Sequence, residues 1–364
     1  MKLTKVSLAA LVALGAFSSV ASATPLEEAI KNVDLSGFAR YRYTNDKKHG
    51  EFSNTKSESG SKAGHQFKAV TNFKAAIDDN FFGVIGLRYN ATDKSGDNTQ
   101  GNQGSRGTGT DKTNTTNSFG VYEMYLGYKV SNTTITAGKQ LIKTFYDDGD
   151  IAATGLKAVS TDVSGLTLTA AAYDALEDST NEIDGPFLTT VTNSATFHDA
   201  PANLYYLGAV GSYDPVSFKV AIANLQEIAT LYGAEAAFSF NVTDDINLNL
   251  KGQYVYSDSD HKKVADADFW AVQAGTKLFG AKFNAGYLEF DAKNKDNDAR
   301  NSGKIAFTSI DANGQLINPA KILNGVMSGG SQYYNNIKDK NDYWFIGAAY
   351  KFNKFGLFAN YIDG

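Results

Sequence analysis

Residues 34–43 alternate with a period of two. Leu35, Gly37, Ala39, Tyr41 and Tyr43 fall on one face; Ser36, Phe38, Arg40 and Arg42 fall on the other. The pattern returns in residues 67–77, where Phe67, Ala69, Phe73, Ala75 and Ile77 oppose Lys68, Asn72 and Lys74. In residues 81–89, Phe81, Ile85, Leu87 and Tyr89 oppose Arg88. Residues 215–223, 245–256 and 342–352 read the same way. A run with one apolar and one polar face is a half-buried β-strand. Fifteen such segments are predicted, starting near residues 34, 65, 81, 118, 132, 152, 164, 203, 215, 231, 245, 267, 281, 342 and 354.

The links between segments alternate too. Every even-numbered segment is followed by a tight turn, such as Val130-Ser131-Asn132, Asp214-Pro215, Phe279-Gly280 or Asn353-Lys354. Most odd-numbered segments are followed by long polar connections, at residues 44–64, 91–117, 175–202 and 291–341. Short turns at one end and long loops at the other predict an all-β fold, a transmembrane antiparallel β-barrel with periplasmic turns and extracellular loops. Strands of about ten residues suit a tilted crossing of the hydrocarbon layer. Tyr41, Tyr43, Tyr89, Tyr254 and Tyr256 lie near strand ends, where barrels carry aromatic girdles. Closure leaves no unpaired edge in lipid. A soluble sheet would need one core for the apolar faces of fifteen long strands, which the loop parity does not favour. Single-chain bacterial barrels have even strand numbers. The odd count therefore predicts a chain truncated at its C-terminus, with further strands in the complete protein.

Composition fits strands. Aromatics make up 12% of the 364 residues, mostly 23 Phe and 20 Tyr, with 34 Gly and only 5 Pro. Residues 1–23 read as a signal peptide: Lys2 and Lys5 precede an apolar run over residues 6–17, and Ala21-Ser22-Ala23 is a small-x-small cleavage site. Residues 24–364 form the barrel domain. The formal charge of −5 becomes −7 without Lys2 and Lys5, which argues against nucleic acid as a partner. With no cysteine, disulfides and thiolate metal sites are excluded.

The mature start from Thr24 to Lys31, the run Leu35-Ser36-Gly37-Phe38-Ala39-Arg40-Tyr41-Arg42-Tyr43, the Ala137-Gly138-Lys139-Gln140 strand end and the Gly165-Leu166-Thr167-Leu168 strand start resemble the major outer membrane porin family of Campylobacter and its relatives. The resemblance covers most of the chain and is strongest in its first half. It implies an 18-stranded barrel assembled as a homotrimer in outer-membrane lipid, passing small hydrophilic solutes and ions. It also implies that residues 141–153, the third long-side connection, fold into the barrel and narrow it.

If apolar positions face lipid, Arg40, Arg42, Lys68, Lys74 and Arg88 face the lumen. In the fourth segment Tyr122, Met124, Leu126 and Tyr128 are expected to face outward and Glu123 inward. One sector of the wall is then basic. Asp147, Asp148 and Asp150 would stand opposite as the acidic lip of a constriction. Opposed charges across a narrow gap set a transverse field that favours polar solutes. The acidic lip and the net charge predict a weak preference for cations. A second role open to Asp147, Asp148 and Asp150, with Asp174 nearby, is a structural Ca2+, because clustered carboxylates suit a hard cation. Their spacing does not match the helix–loop–helix calcium motif. The competing classes are an outer-membrane barrel phospholipase or protease and a loop-mediated adhesin. An enzyme would need a nucleophile paired with a base. His49, His65, His198 and His261 lie in or beside long-side loops, outside any nucleophile motif.

Overall fold

The computed structural model describes residues 33–48, 60–95, 119–147, 149, 151–176, 203–243, 246–261, 264–293, 306–310, 315–319 and 340–364. Residues 1–32, with the expected signal peptide, lie outside that set, as do Asp148 and Asp150. The described residues contain fifteen strands and no helix. The first four are β1 (Val33–Lys48), β2 (Gly60–Ala76), β3 (Phe81–Ser95) and β4 (Gly120–Val130). Then come β5 (Thr133–Leu141), β6 (Ala152–Ser160), β7 (Leu166–Leu176) and β8 (Leu204–Tyr213). The next four are β9 (Val216–Leu225), β10 (Ala229–Thr243), β11 (Ile246–Ser259) and β12 (Asp266–Leu278). The last are β13 (Ala281–Lys293), β14 (Lys340–Phe352) and β15 (Phe355–Asp363). They form one sheet in sequence order. All fifteen predicted segments are strands, and only a short link follows each even-numbered one.

Sequence-adjacent order with tight hairpins follows from the turn chemistry. The β12–β13 hairpin turns on Phe279-Gly280, both with positive φ, the backbone twist a two-residue hairpin needs. The β4–β5 and β6–β7 turns are tied together by Asp162. Its carboxylate accepts from the Thr133 hydroxyl at 2.6 Å, the Asn132 N–H at 3.1 Å and the Ser160 hydroxyl at 3.0 Å. Those donors, the Thr133 hydroxyl first, hold the carboxyl down at about 2.

The chain divides into two compact units near Gly127. In the first, the face bearing Leu35, Tyr41, Phe67, Phe73, Phe81, Ile85, Met124 and Leu126 is exposed. The opposite face buries Lys68, Val70, Val84 and Arg88. In the second unit Leu168, Leu207, Val220, Ile222, Tyr232, Phe238, Phe240, Leu250, Tyr254, Ile346 and Tyr350 are exposed on one face. Large apolar residues turned outward on strand after strand are wrong for water and right for hydrocarbon. Aromatics of this face pair across strands near the loop ends. Trp270 lies 5.1 Å from Tyr287, and Trp344 lies 5.2 Å from Tyr361. Phe279, Phe352 and Phe355 crowd the turn ends. These are two girdles.

The other face of the second unit holds the core. Towards the loop ends it is apolar: Leu204, Tyr206, Ala223, Leu225, Leu231, Val255, Phe269, Leu288, Phe290 and Phe345 are buried there. This departs from the simple expectation of a polar lumen face, and the reason is packing. Two stretches of connecting chain lie on it. Residues 142–151 contribute Ile142, Phe145, Tyr146 and Ile151; residues 306–317 contribute Phe307, Ile310, Leu316 and Ile317.

Candidate pore-lining site

In the second unit, the β5–β6 connection begins and ends as a pinched pair: the Ile142 N–H donates to Ile151 O at 3.0 Å. Between them the chain turns inward. Tyr146 is fully buried. Its hydroxyl donates to the Ala221 carbonyl at 2.6 Å, with the Leu231 carbonyl at 3.2 Å. Its ring meets Phe145 edge-on at 5.2 Å and Tyr206 at 6.5 Å. The Tyr206 hydroxyl accepts from the Phe145 N–H at 3.3 Å. The seat exists because Gly233 has no side chain. A Cβ there would come within 2.7 Å of the Phe145 ring and 2.8 Å of the Tyr146 hydroxyl. Burial pushes the Tyr146 hydroxyl well above the usual tyrosine range, so it stays a donor.

A second strap closes over the first. Tyr146 O accepts from the Ile310 N–H at 2.7 Å and the Ser309 hydroxyl at 2.9 Å. Phe145 O accepts from the Gln315 N–H at 3.2 Å, and Thr144 O from Gln315 Nε2 at 3.0 Å. The buried backbone of the inserted loop is thus satisfied by the β13–β14 connection. That connection reads as polar and long in the sequence. Its apolar islands Phe307, Ile310 and Leu316-Ile317 are the signal that it packs.

Asp147 is 1% exposed. Its carboxylate accepts from the Thr144 N–H, from the Thr144 hydroxyl and from the Gly149 N–H, the last at 2.7 Å. The group that reads as a lip charge is therefore a cap inside the loop. Asp148 and Asp150 lie outside the described residues. Among the described residues no cluster of three or more His, Asp or Glu side chains is placed for a metal ion.

Below the docked loop the same face is charged. Glu235 is 8% exposed, with the Lys251 ammonium at 2.8 Å and the Lys219 ammonium at 3.3 Å. Gln253 Nε2 donates to Glu235 Oε2. Register makes this group: Glu235 pairs with Lys219 on β9 and with Gln253 on β11. Nearer the turns the face carries amides, with Lys277 paired to Lys282 beyond them. Asn249, Gly275, Asn284, Gly347 and Asn360 form one transverse row through successive strand pairs. The amides lie over the glycines; a Cβ at Gly347 would overlap both Asn284 and Asn360. This row and Glu235 were missed in the sequence because each strand supplies only one member.

In the first unit, Arg40 pairs with Lys68, and Arg88 lies two register positions along from Lys68, opposite Val70 on the same face. Arg42 pairs with Gln66. Like charges directly opposite cost stability. Arg88 sits 5.3 Å over the Tyr122 ring, whose hydroxyl donates to Asn72 at 2.7 Å. Tyr122 and Glu123 are both buried, so the outward placement expected of Tyr122 is corrected. Two consecutive side chains turn to one face because Gly86 leaves room: its missing Cβ would touch both. Lys74 lies over the Phe82 ring at 4.4 Å near the β2–β3 turn and is exposed. His65 Nδ1 is 2.7 Å from the Tyr41 hydroxyl, next to an aromatic girdle.

Solved structures share this architecture. A BenF-like porin from Pseudomonas fluorescens Pf-5 has a TM-score of 0.61 at 15% identity, over 91% of this chain and 81% of that one. Acinetobacter baumannii OccAB4 has a TM-score of 0.61 at 12% identity, over 91% and 81%. Pseudomonas aeruginosa OccK5 (OpdH) has a TM-score of 0.60 at 11% identity, over 91% and 80%. At these identities the likeness is one of fold. No curated protein matches the chain. The family model for the Campylobacter major outer membrane protein matches residues 1–364 in full. The chain is a multi-pass β-barrel of the outer membrane, and it belongs to the Campylobacter major outer membrane protein family.

Proposed function

We propose that this protein is a general-diffusion porin: a homotrimer whose water-filled channels pass ions and small hydrophilic solutes, each narrowed by the inward-folded β5–β6 loop. The observation that carries the reading is the seating of that loop. A connection that docks Tyr146 between strands, on the face opposite the exposed apolar one, takes up space inside a barrel. Below it the wall is polar: the Lys219–Glu235–Lys251 group, then the asparagine row. Arg40, Arg42, Lys68 and Arg88 supply a basic sector. Any acidic lip rests on Asp148 and Asp150, since Asp147 is engaged within its loop. Charge on a lumen wall sets ionic preference, and the groups here are mixed, which favours weak selectivity. Purified protein in planar bilayers is expected to show ohmic steps and a slight cation preference in a salt gradient. Liposomes carrying it should swell in small sugars and progressively less in larger ones. Intact insertion without conductance would sink the proposal.

A further inference from the structure

Building on the channel reading, we infer that Glu235 is both the fastening of the inner strap and a determinant of the channel's ionic preference. Three contacts run from its surroundings to the β13–β14 connection. Lys219 Nζ, 3.3 Å from Glu235, donates to Gln315 Oε1 at 2.9 Å. Gln253 Nε2, which donates to Glu235, also reaches Gln315 O at 3.0 Å. Gln253 Oε1 accepts from the Ile317 N–H at 2.6 Å. The carboxylate thus aims a lysine and an amide at the strap, and Gln315 passes the hold on to the β5–β6 loop at Thr144 O.

The same carboxylate balances the wall. Lys219 and Lys251 contribute two positive charges and Glu235 one negative, leaving +1; without Glu235 the local charge is +2. The lysine side chains are 28% and 31% exposed, so their ammonium groups reach the aqueous side while Glu235 stays beneath them. A carboxylate only 8% exposed is costly to desolvate. A wall residue serving only to be wet would not be built in this way.

The test records single channels and reversal potentials of the full chain in planar bilayers under a salt gradient, with folded barrels confirmed by heat-modifiable electrophoretic mobility. Glu235→Gln should move the cation-to-anion permeability ratio about sixfold toward anions, because one charge about 8 Å from a passing ion in water changes cation and anion each about two- to threefold, in opposite directions. It should also make the open current noisier. Lys251→Gln should move the ratio the other way by a similar factor. Gln253→Ala should add noise and leave the ratio unchanged, because it cuts the strap without altering charge. If Glu235→Gln fails to fold, the other two variants decide: noise without a ratio change in Gln253→Ala and a ratio change in Lys251→Gln support the inference. A wild type that conducts while all folded variants match it in ratio and noise overturns the role of Glu235 alone. A wild type that carries no current overturns the channel reading, and this role with it.

Discussion

Replacing Tyr146 by alanine is expected to undock the β5–β6 loop and destabilise the open current. The side chain is fully buried, and removing a buried aromatic costs about 3–5 kcal/mol. Each 1.4 kcal/mol is tenfold, so the docked state loses on the order of 10²–10³-fold in population. Conductance should rise and flicker between a larger and the native level. Tyr146→Phe is the control. It keeps the ring contacts with Phe145 and Tyr206 and loses the hydroxyl's proton shared between Ala221 O and Leu231 O, about 1 kcal/mol. Its channel should stay close to native. Recordings of both variants at one voltage check the gradient; equal conductance and noise in Tyr146→Ala and wild type would refute the docking role.

The second large effect is expected at Asp147, and it runs against the reading its charge suggests. Asp147→Ala leaves the Thr144 N–H, itself in a residue 2% exposed, without its carboxylate acceptor. A buried donor left unpaired costs about 1–3 kcal/mol. Asp147→Asn is little better, because its one amide oxygen cannot accept from Thr144 and Gly149 at once, and the amide nitrogen would then face an N–H donor. Both variants should loosen the loop, raising noise and mean conductance, while the permeability ratio shifts little. Alanine at Asp147 that moved the ratio strongly without added noise would restore this residue to the lip.

Much of this protein is readable from its residues. Alternation marked every strand, because one face meets lipid and the other does not, and that contrast repeats every second residue. Turn positions followed from short pairs such as Asp214-Pro215 and Phe279-Gly280. The third long-side connection was identified as inward-folding by resemblance, and Tyr146 is what holds it there. What stayed hidden depends on register. Glu235 gains its meaning from Lys219 and Gln253 on neighbouring strands, 16 and 18 positions away. Tyr122 defied its parity because Gly86 on another strand makes room for it. The role of Asp147 was hidden for a different reason. Its partner Thr144 is only three residues off, but a Thr-x-x-Asp turn looks the same in a solvated loop as in a buried one.

In the proposed channel the face carrying Lys251 lines the water-filled lumen and the face carrying Leu207 meets lipid. The chain has no cysteine, so a single introduced one is unique. Lys251→Cys and Leu207→Cys channels would each be treated in a bilayer with a bulky, charged, water-soluble thiol reagent. Stepwise, irreversible loss of current is expected in Lys251→Cys and none in Leu207→Cys. Current unaffected at Lys251→Cys, or blocked at Leu207→Cys, would contradict this assignment of faces.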